Sequence, residues 1–292
     1  MAKLFVIFNP AAHGEKSQRL LRFLESKAGP TVTLAPTQRA GDATKLAAQG
    51  VANGYDAIVA AGGDGTINEV INGFGVSGAT LGVLPLGTAN VFARELRVPL
   101  KLEAAWATLE RGTTRSVDLG VAEFGGRQRL FAQLAGVGFD ARAVRAANWE
   151  LKKRFGPLSY VWAGLVALRD QKADVEVVAE DAGITSRGAS VLIGNGRFYG
   201  GSFPLFPDAK LGDGLLDVCV FEGSGYVNAL RYGFGALRGS HTKQRGVRYF
   251  QSARFTCRAM SAAPLELDGE DAGDVPVLFR VSARALRVIV PA

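Results

Sequence analysis

The 292-residue chain is poor in the residues that build many familiar sites: it has two cysteines, two histidines and no long apolar run. Each scarcity removes a class of function. Cys219 and Cys257 alone cannot form a disulfide framework or a cysteine zinc site, and so sparse a usage fits a reducing, cytoplasmic setting. With only His13 and His241, a histidine-rich metal centre is excluded and a Ser-His-Asp triad has little support; no G-x-S-x-G elbow occurs. The longest apolar stretch, Leu158 to Leu168, is interrupted and falls short of the roughly 18 residues that span a bilayer. If a membrane matters, the protein is expected at its surface. The opening Met1-Ala2-Lys3-LFVIF is too short for a signal-peptide core and reads as a first strand.

What is present is a mixed, foldable composition with a formal net charge of +7. The length allows one large domain or two ordinary ones. The basic balance favours an anionic partner: nucleotide phosphates, nucleic acid or an acidic lipid surface.

The first part of the chain repeats strand, turn and helix four times. LFVIF (4–8) precedes a helical pattern from Lys16 to Lys27, and TVTLA (31–35) precedes one from Asp42 to Asn53. YDAIVAA leads into a glycine turn and INEVINGF, and TLGVLPL leads into GTANVFAREL. This rhythm predicts a parallel α/β sheet, with ligands beyond the carboxyl ends of its strands. After about Asp118 longer strand-like runs take over, including RLFAQLAGVGF, ADVEVVAE, ASVLIGNG and LLDVCVF, which predicts a mainly antiparallel β domain. A helical excursion from Ala141 to about Asp170, broken at Gly156-Pro157, interrupts it. The last apolar segment, Ala285 to Val290, suits either domain; a return to the first is favoured. The expected division is 1–118 with 285–292, and 119–284.

The strongest local signal is YDAIVAAGGDGTINEV, a buried strand ending in a glycine pair just before a helix. Glycines let backbone approach phosphate oxygens, and the free N–H groups of a helix N-terminus bind anions. Asp64 is of the right type for a phosphate-bound Mg²⁺ ion. An ordinary strand-to-helix turn, N-capped by Asp64 or Thr66, would look similar. A second turn of the same design, at Gly87-Thr88, and a third at Asn9-Pro10 favour a phosphate site at one sheet edge. Other nucleotide signatures fail. Gly14-Glu15-Lys16-Ser17 lacks the earlier P-loop glycine, and Gly194-Asn195-Gly196 with Gly200 is one residue too long for a dinucleotide fingerprint. With histidine scarce, a general base should be a carboxylate. Asp268-Gly269-Glu270 places two on a tight turn, although from spacing alone a solvated acidic hairpin running through Asp271 and Asp274 is the favoured reading.

Taken together, these residues resemble the diacylglycerol kinase catalytic-domain family, especially the soluble bacterial lipid kinases. The resemblance runs along nearly the whole chain: NP at 9–10, GGDGT with NEV at 62–70, LPLGTAN with FAR at 84–94, GVGFDA at 136–141, RFGPLSY at 154–160, NGRFYGG ending at Gly201, PDAKLGDGLLDV at 207–218 and LDGE at 267–270. GGDGT alone is shared with NAD kinases and phosphofructokinases; the ordered set is more specific. The resemblance implies an N-terminal α/β domain of NAD-kinase and phosphofructokinase type, a C-terminal β-sandwich domain, and ATP in the cleft between them. It implies nucleotide contacts at Asn9, Thr37, Gly62, Gly63, Asp64, Gly65, Thr66, Ile67, Asn68 and Thr88, a catalytic base at Glu270, and support from Asp268. It also implies a structural Mg²⁺ held by Asp213 with the carbonyls of Lys210 and Leu215, a donor set that suits a hard cation. Two positions depart from the family pattern: His13 within NPAAHG, and Val91 where many relatives carry aspartate.

The expected function is therefore ATP-dependent phosphorylation of diacylglycerol or a similar lipid alcohol at the membrane surface. An NAD kinase is the nearest rival, and a lipid-binding module that has lost catalysis is another. The segment Ala141 to Asp170 sets Arg142, Arg145, Lys152, Lys153 and Arg154 beside Trp149, Phe155, Tyr160 and Trp162, a pattern that suits peripheral contact with an anionic membrane. A solvated helix over a buried aromatic core would read alike. No nucleic-acid motif is present. Oligomeric state is not legible, and a homodimer stays open.

Overall fold

The computed structural model describes residues 2–10, 14–74, 79–146, 174–223 and 225–292. The chain divides into two compact units, one comprising Met1–Val117, Gly200–Ser202 and Arg284–Ala292, the other Asp118–Tyr199 and Phe203–Ala283.

In the first unit, strands β1 (Leu4–Phe8), β2 (Val32–Pro36), β3 (Ala57–Gly62) and β4 (Thr80–Pro85) lie in the order β2-β1-β3-β4, all parallel. Every residue of β1, β3 and β4 is buried, as expected of parallel strands covered on both faces. The covering helices are α1 (Gly14–Lys27), α2 (Asp42–Ala52), α3 (Asp64–Phe74), the short α4 (Val91–Glu95) and α5 (Leu102–Arg111). Their inward faces follow the helical period: Ala43, Ala47 and Gly50 on α2, and Ile67, Val70, Ile71 and Phe74 on α3. The end of a later strand pairs in parallel with β4, Arg287 opposite Thr80 and Val288 opposite Leu81. Because β1 sits between β2 and β3, the strand order reverses beside it, and the carboxyl ends of β1 and β3 flank that switch point.

The second unit is a two-sheet β-sandwich. Its first sheet contains β5 (Thr113–Phe124), β6 (Arg127–Phe131), β8 (Val175–Ala179), β9 (Ile184–Gly188), β15 (Arg254–Ala259) and the long β18 (Val277–Val290), whose last residues are those beside β4. Its second sheet runs β14-β13-β10-β7-β16-β17, with β7 (Leu134–Gly138), β10 (Ser190–Gly194), β13 (Leu216–Phe221), β14 (Val247–Ser252), β16 (Pro264–Leu267) and β17 (Glu270–Asp274), all antiparallel. A small pair, β11 (Phe198–Tyr199) and β12 (Phe203–Pro204), stands apart. The core draws on both sheets: Phe131, Val177, Phe255 and Phe279 from one, Val137, Ile193, Val218 and Leu265 from the other. Alternate residues of each strand face inward, so the two apolar faces bury each other.

Three features differ from the sequence reading. RLFAQLAGVGF is not one strand; the chain breaks at Ala132–Gln133 between β6 and β7, and α6 (Phe139–Ala146) follows directly. Helices α5 and α7 (Tyr226–Leu237) were not anticipated. Of the expected excursion from Ala141 to Asp170, only α6 lies within the described residues. No described helix is long and apolar enough to cross a membrane.

Candidate functional site

The carboxyl edge of the parallel sheet gathers three of the expected turns. Thr37, buried, donates from its backbone N–H to the Phe8 carbonyl at 2.9 Å and from Oγ1 to the same oxygen at 3.4 Å, which ties the end of β2 to the end of β1. Asn9, next in the chain, is exposed. The Leu86 N–H donates to the Gly62 carbonyl at 2.9 Å, and the Ile67 N–H donates to the Gly63 carbonyl at 3.1 Å, starting α3.

The two glycine turns touch. A methyl group on Gly87 would stand 2.6 Å from the Gly63 Cα, and one on Gly63 would stand 3.2 Å from the Gly87 Cα. Backbone against backbone leaves nothing that can swing aside, so packing alone demands glycine at Gly87. Asn90, in the left-handed region at φ 50°, clamps the second turn: Gly87 N–H donates to its Oδ1 and its Nδ2 donates to the Gly87 carbonyl, each at 2.8 Å. Asp64 links the two turns, its Oδ1 accepting the Phe92 N–H at 3.2 Å in the first turn of α4. Burial pushes the Asp64 carboxyl up from its usual range, and the amides of Phe92, Val91 and Asn90 oppose that shift by favouring the anion.

Not every expected contact reaches the surface. Gly63 to Thr66 and Gly87 are half-buried and Thr88 is exposed, whereas Gly62 is buried and Ile67 and Asn68 are each 1% exposed. The Asn68 Oδ1 accepts Asn72 Nδ2 at 3.2 Å, within α3. Asn9, Gly63 to Thr66 and Thr88 are thus the part of this edge that reaches the surface, while Thr37, Gly62, Ile67 and Asn68 lie behind it. The start of an 11-residue helix makes this edge suited to an anion.

In the second unit the DGE triplet forms the turn of the β16–β17 hairpin. Leu267 pairs with Glu270 across a two-residue loop in which Asp268 (φ 49°) and Gly269 (φ 82°) both adopt positive φ, the arrangement of a tight primed turn. The register of β16 on β7 sets Leu267 opposite Ala135 and continues with the Asp268 N–H donating to the Leu134 carbonyl at 2.9 Å. The Asp268 carboxylate then accepts three backbone N–H groups: Ala132 at 2.7 Å, Gln133 at 2.9 Å and Leu134 at 3.0 Å. The break in the RLFAQLAGVGF run is what presents those amides. Beneath the turn, buried Glu266 accepts the Gly269 N–H at 2.8 Å.

Glu270 is thereby held on a rigid turn with 43% of its side chain exposed, and Arg129 Nη2 donates to its Oε2. Two further arginines secure the same strand. Arg127 Nη2 donates to the Ala272 carbonyl at 2.9 Å, and Arg145 bridges Asp271 at 2.8 Å and Asp274 at 3.1 Å. The acidic run after Glu270 is therefore ion-paired to α6. Arg129 and Arg127 were missed in the sequence; their one local signal is alternation, since residues two apart on β6 share a face.

The proposed cation turn is an Asx-like loop. Asp213 is exposed and its Oδ1 accepts the Leu215 N–H at 3.1 Å; the Lys210 carbonyl accepts the Gly212 N–H at 2.7 Å; buried Asp118 accepts the Gly214 N–H at 2.7 Å. Close by, burial pushes the Asp217 carboxyl up to about 6, while bonds from Tyr249 and Gln251 favour its anion and Asp213 and Asp208 add repulsion. Among the described residues no three His, Cys, Asp or Glu side chains converge as a metal site. A cation at this turn would therefore need backbone carbonyls among its ligands.

Residues 3–122 match the family model of the diacylglycerol kinase catalytic domain, and residues 133–290 match the model of a YegS C-terminal, NAD kinase β-sandwich-like domain. The chain is 33% identical to a diacylglycerol kinase of Bacillus subtilis (strain 168), covering 100% of this chain and 97% of that one. It is 31% identical to a diacylglycerol kinase of Staphylococcus saprophyticus, covering 98% and 94%. A crystal structure of a diacylglycerol kinase from Bacillus anthracis str. Sterne shares the fold at a TM-score of 0.79, with 24% identity, 99% of this chain and 97% of that chain covered.

Proposed function

The chain belongs to the diacylglycerol kinase family and is an ATP-dependent lipid kinase, and from that premise we propose how its two units share the reaction. The first unit holds ATP, with the phosphates on Asn9, the Gly63 to Thr66 amides and Thr88. The second unit supplies the base. Glu270 takes the proton from a hydroxyl of diacylglycerol or a similar membrane lipid alcohol as that oxygen attacks the γ-phosphorus; the bond to the β-γ bridging oxygen breaks and ADP leaves. Phosphoryl transfer asks little covalent chemistry of the protein, so positioning and charge stabilisation dominate.

Magnesium, if bound with ATP, would supply charge neutralisation on the phosphates. Asp64 is the carboxylate on the phosphate turn, and its link to α4 fixes where it stands. For a structural Mg²⁺, Asp213 with the carbonyls of Lys210 and Leu215 offers the all-oxygen donor set that a hard cation takes. Asp268 is a positioning residue. Its carboxylate engages the 132–134 amides, so it holds the turn on which Glu270 stands.

The observation that carries this reading is an accessible glutamate on a hairpin locked by three backbone hydrogen bonds. The experiment is transfer of label from γ-labelled ATP by wild type and Glu270→Gln, with diacylglycerol and with NAD as acceptors. Label on the lipid that disappears in the variant, while ATP binding persists, is the expected result. Near-normal transfer by the variant removes Glu270 from the role, and label on NAD alone moves the chain to the NAD kinases.

A further inference from the structure

Helix α7 carries two apolar faces, of which the fold uses one. The inner face is closed: the Tyr232 ring packs on Phe221 at 5.1 Å, its hydroxyl donates to the Gly246 carbonyl at 3.0 Å and accepts the Gly223 N–H at 3.0 Å, and Gly235 is buried. The outer face presents Val227 (80% exposed), Leu230 (75%), Phe234 (56%) and Leu237 (76%). Their spacing of three, four and three residues sets them in one stripe along the helix. Among the described residues only seven large apolar side chains are exposed, and four of them stand on this stripe. A cluster of that kind marks a contact surface rather than scattered exposure.

Its electrostatics select the partner. From Gly223 to Leu265 the chain has no aspartate or glutamate and seven lysines and arginines. Arg231 and Arg238 flank the stripe; the Arg238 guanidinium lies 4.0 Å from the Phe234 ring centroid, and Arg231 is fixed by a 2.7 Å bond to the Arg245 carbonyl. A second copy docked on the stripe would set Arg231 and Arg238 against their like, with the Glu222 carboxylate, which stands with Arg231 beside Gly246, as the near counter-charge. Four side chains also fall short of the roughly 800 Å² per partner of a standard protein interface. An anionic bilayer supplies both an apolar interior and counter-charge. An amphipathic helix with cations flanking its apolar face is the form that lies in the headgroup plane.

We infer that the outer face of α7 is a membrane-docking surface that seats the protein on anionic lipid, with Leu230 and Phe234 entering the acyl boundary and Arg231 and Arg238 meeting headgroup phosphates. The inference rests on the lipid-kinase reading for its purpose, since the acceptor resides in a bilayer, but its test does not use turnover.

The test is sedimentation of the full chain with phosphatidylcholine vesicles, with and without phosphatidylglycerol, at low and high salt and without ATP. Wild type should bind only the anionic vesicles and release in salt, and the double variant Leu230→Ser with Phe234→Ser should lose about tenfold or more in partition. Both side chains are exposed, so circular dichroism and thermal unfolding should stay unchanged. A second readout uses Leu230→Cys labelled with an environment-sensitive fluorophore. Cys219 and Cys257 are fully buried and burial pushes both thiols up, Cys219 to about 12, so the label goes to position 230. A blue shift on anionic vesicles supports insertion. Equal partition of wild type and double variant, no shift of the label, or a double variant that changes only the oligomeric state in light scattering would each overturn the inference. Because partition is read without ATP, failure of the kinase reading would leave the docking result standing.

Discussion

The phosphate edge of the first unit and the DGE hairpin of the second build their sites in opposite ways. At the edge, side chains are withheld where the turns meet: Gly63 and Gly87 touch backbone to backbone. At the hairpin, side chains are captured: Asp268 gathers three amides from a distant strand break, and Arg129 reaches Glu270. Both use main-chain N–H groups as the rigid part. In the proposed reading the first would meet a ligand's charge, while the second satisfies them with the protein's own carboxylate, which fixes the turn that carries Glu270. Rigidity comes from the backbone in each case, and only the anion differs.

Mutations sharpen that contrast in descending order of effect. Glu270→Gln should lower turnover by roughly 10²–10⁴-fold with ATP affinity retained, since general-base catalysis contributes on that scale; single-turnover kinetics and ATP titration read the two quantities apart. Asp268→Ala should cost roughly 2–4 kcal/mol of stability by stranding three amides, and should lower activity together with the melting temperature. Urea unfolding checks this, and an unchanged midpoint would mean that the amides find other partners. Gly87→Ala should destabilise by about 1–3 kcal/mol through overpacking against Gly63 and raise the KM for ATP more than it lowers kcat. An effect on kcat alone would detach that turn from nucleotide binding. Arg129→Gln should change stability by less than about 1 kcal/mol, since the ion pair is part-exposed, while lowering kcat several-fold because Glu270 loses its fixed orientation. A kcat that rises instead would recast Arg129 as a restraint on the base.

How much was legible depended on sequence distance. The glycine turns were readable because strand, turn and helix follow one another within about fifteen residues, and each leaves a local mark. Ile67 and Asn68, expected at the nucleotide, face the interior because α3 starts at Asp64 and its period carries the fourth and fifth residues inward with Val70 and Ile71. Helix α7 went unread since apolar residues occupy both its faces and Gly233 and Gly235 lower its propensity, so no single face stands out. The RLFAQLAGVGF run looked like one strand because all its residues suit a strand; nothing local marks Ala132–Gln133 as the place where three amides turn to Asp268.

The amino-acid sequence by itself determined the parallel rhythm, the glycines that allow two turns to meet, the scarcity of histidine that points any general base toward a carboxylate, and a carboxylate-free stretch after Glu222. Only the tertiary structure decided which acidic group is held and which stands accessible. Asp268 and its amides lie more than 130 residues apart in sequence, as do Arg129 and Glu270. The register of β16 on β7 brings the first pair together. Strand register is set by burial of a whole face, a property of the assembled sheet that no short segment carries.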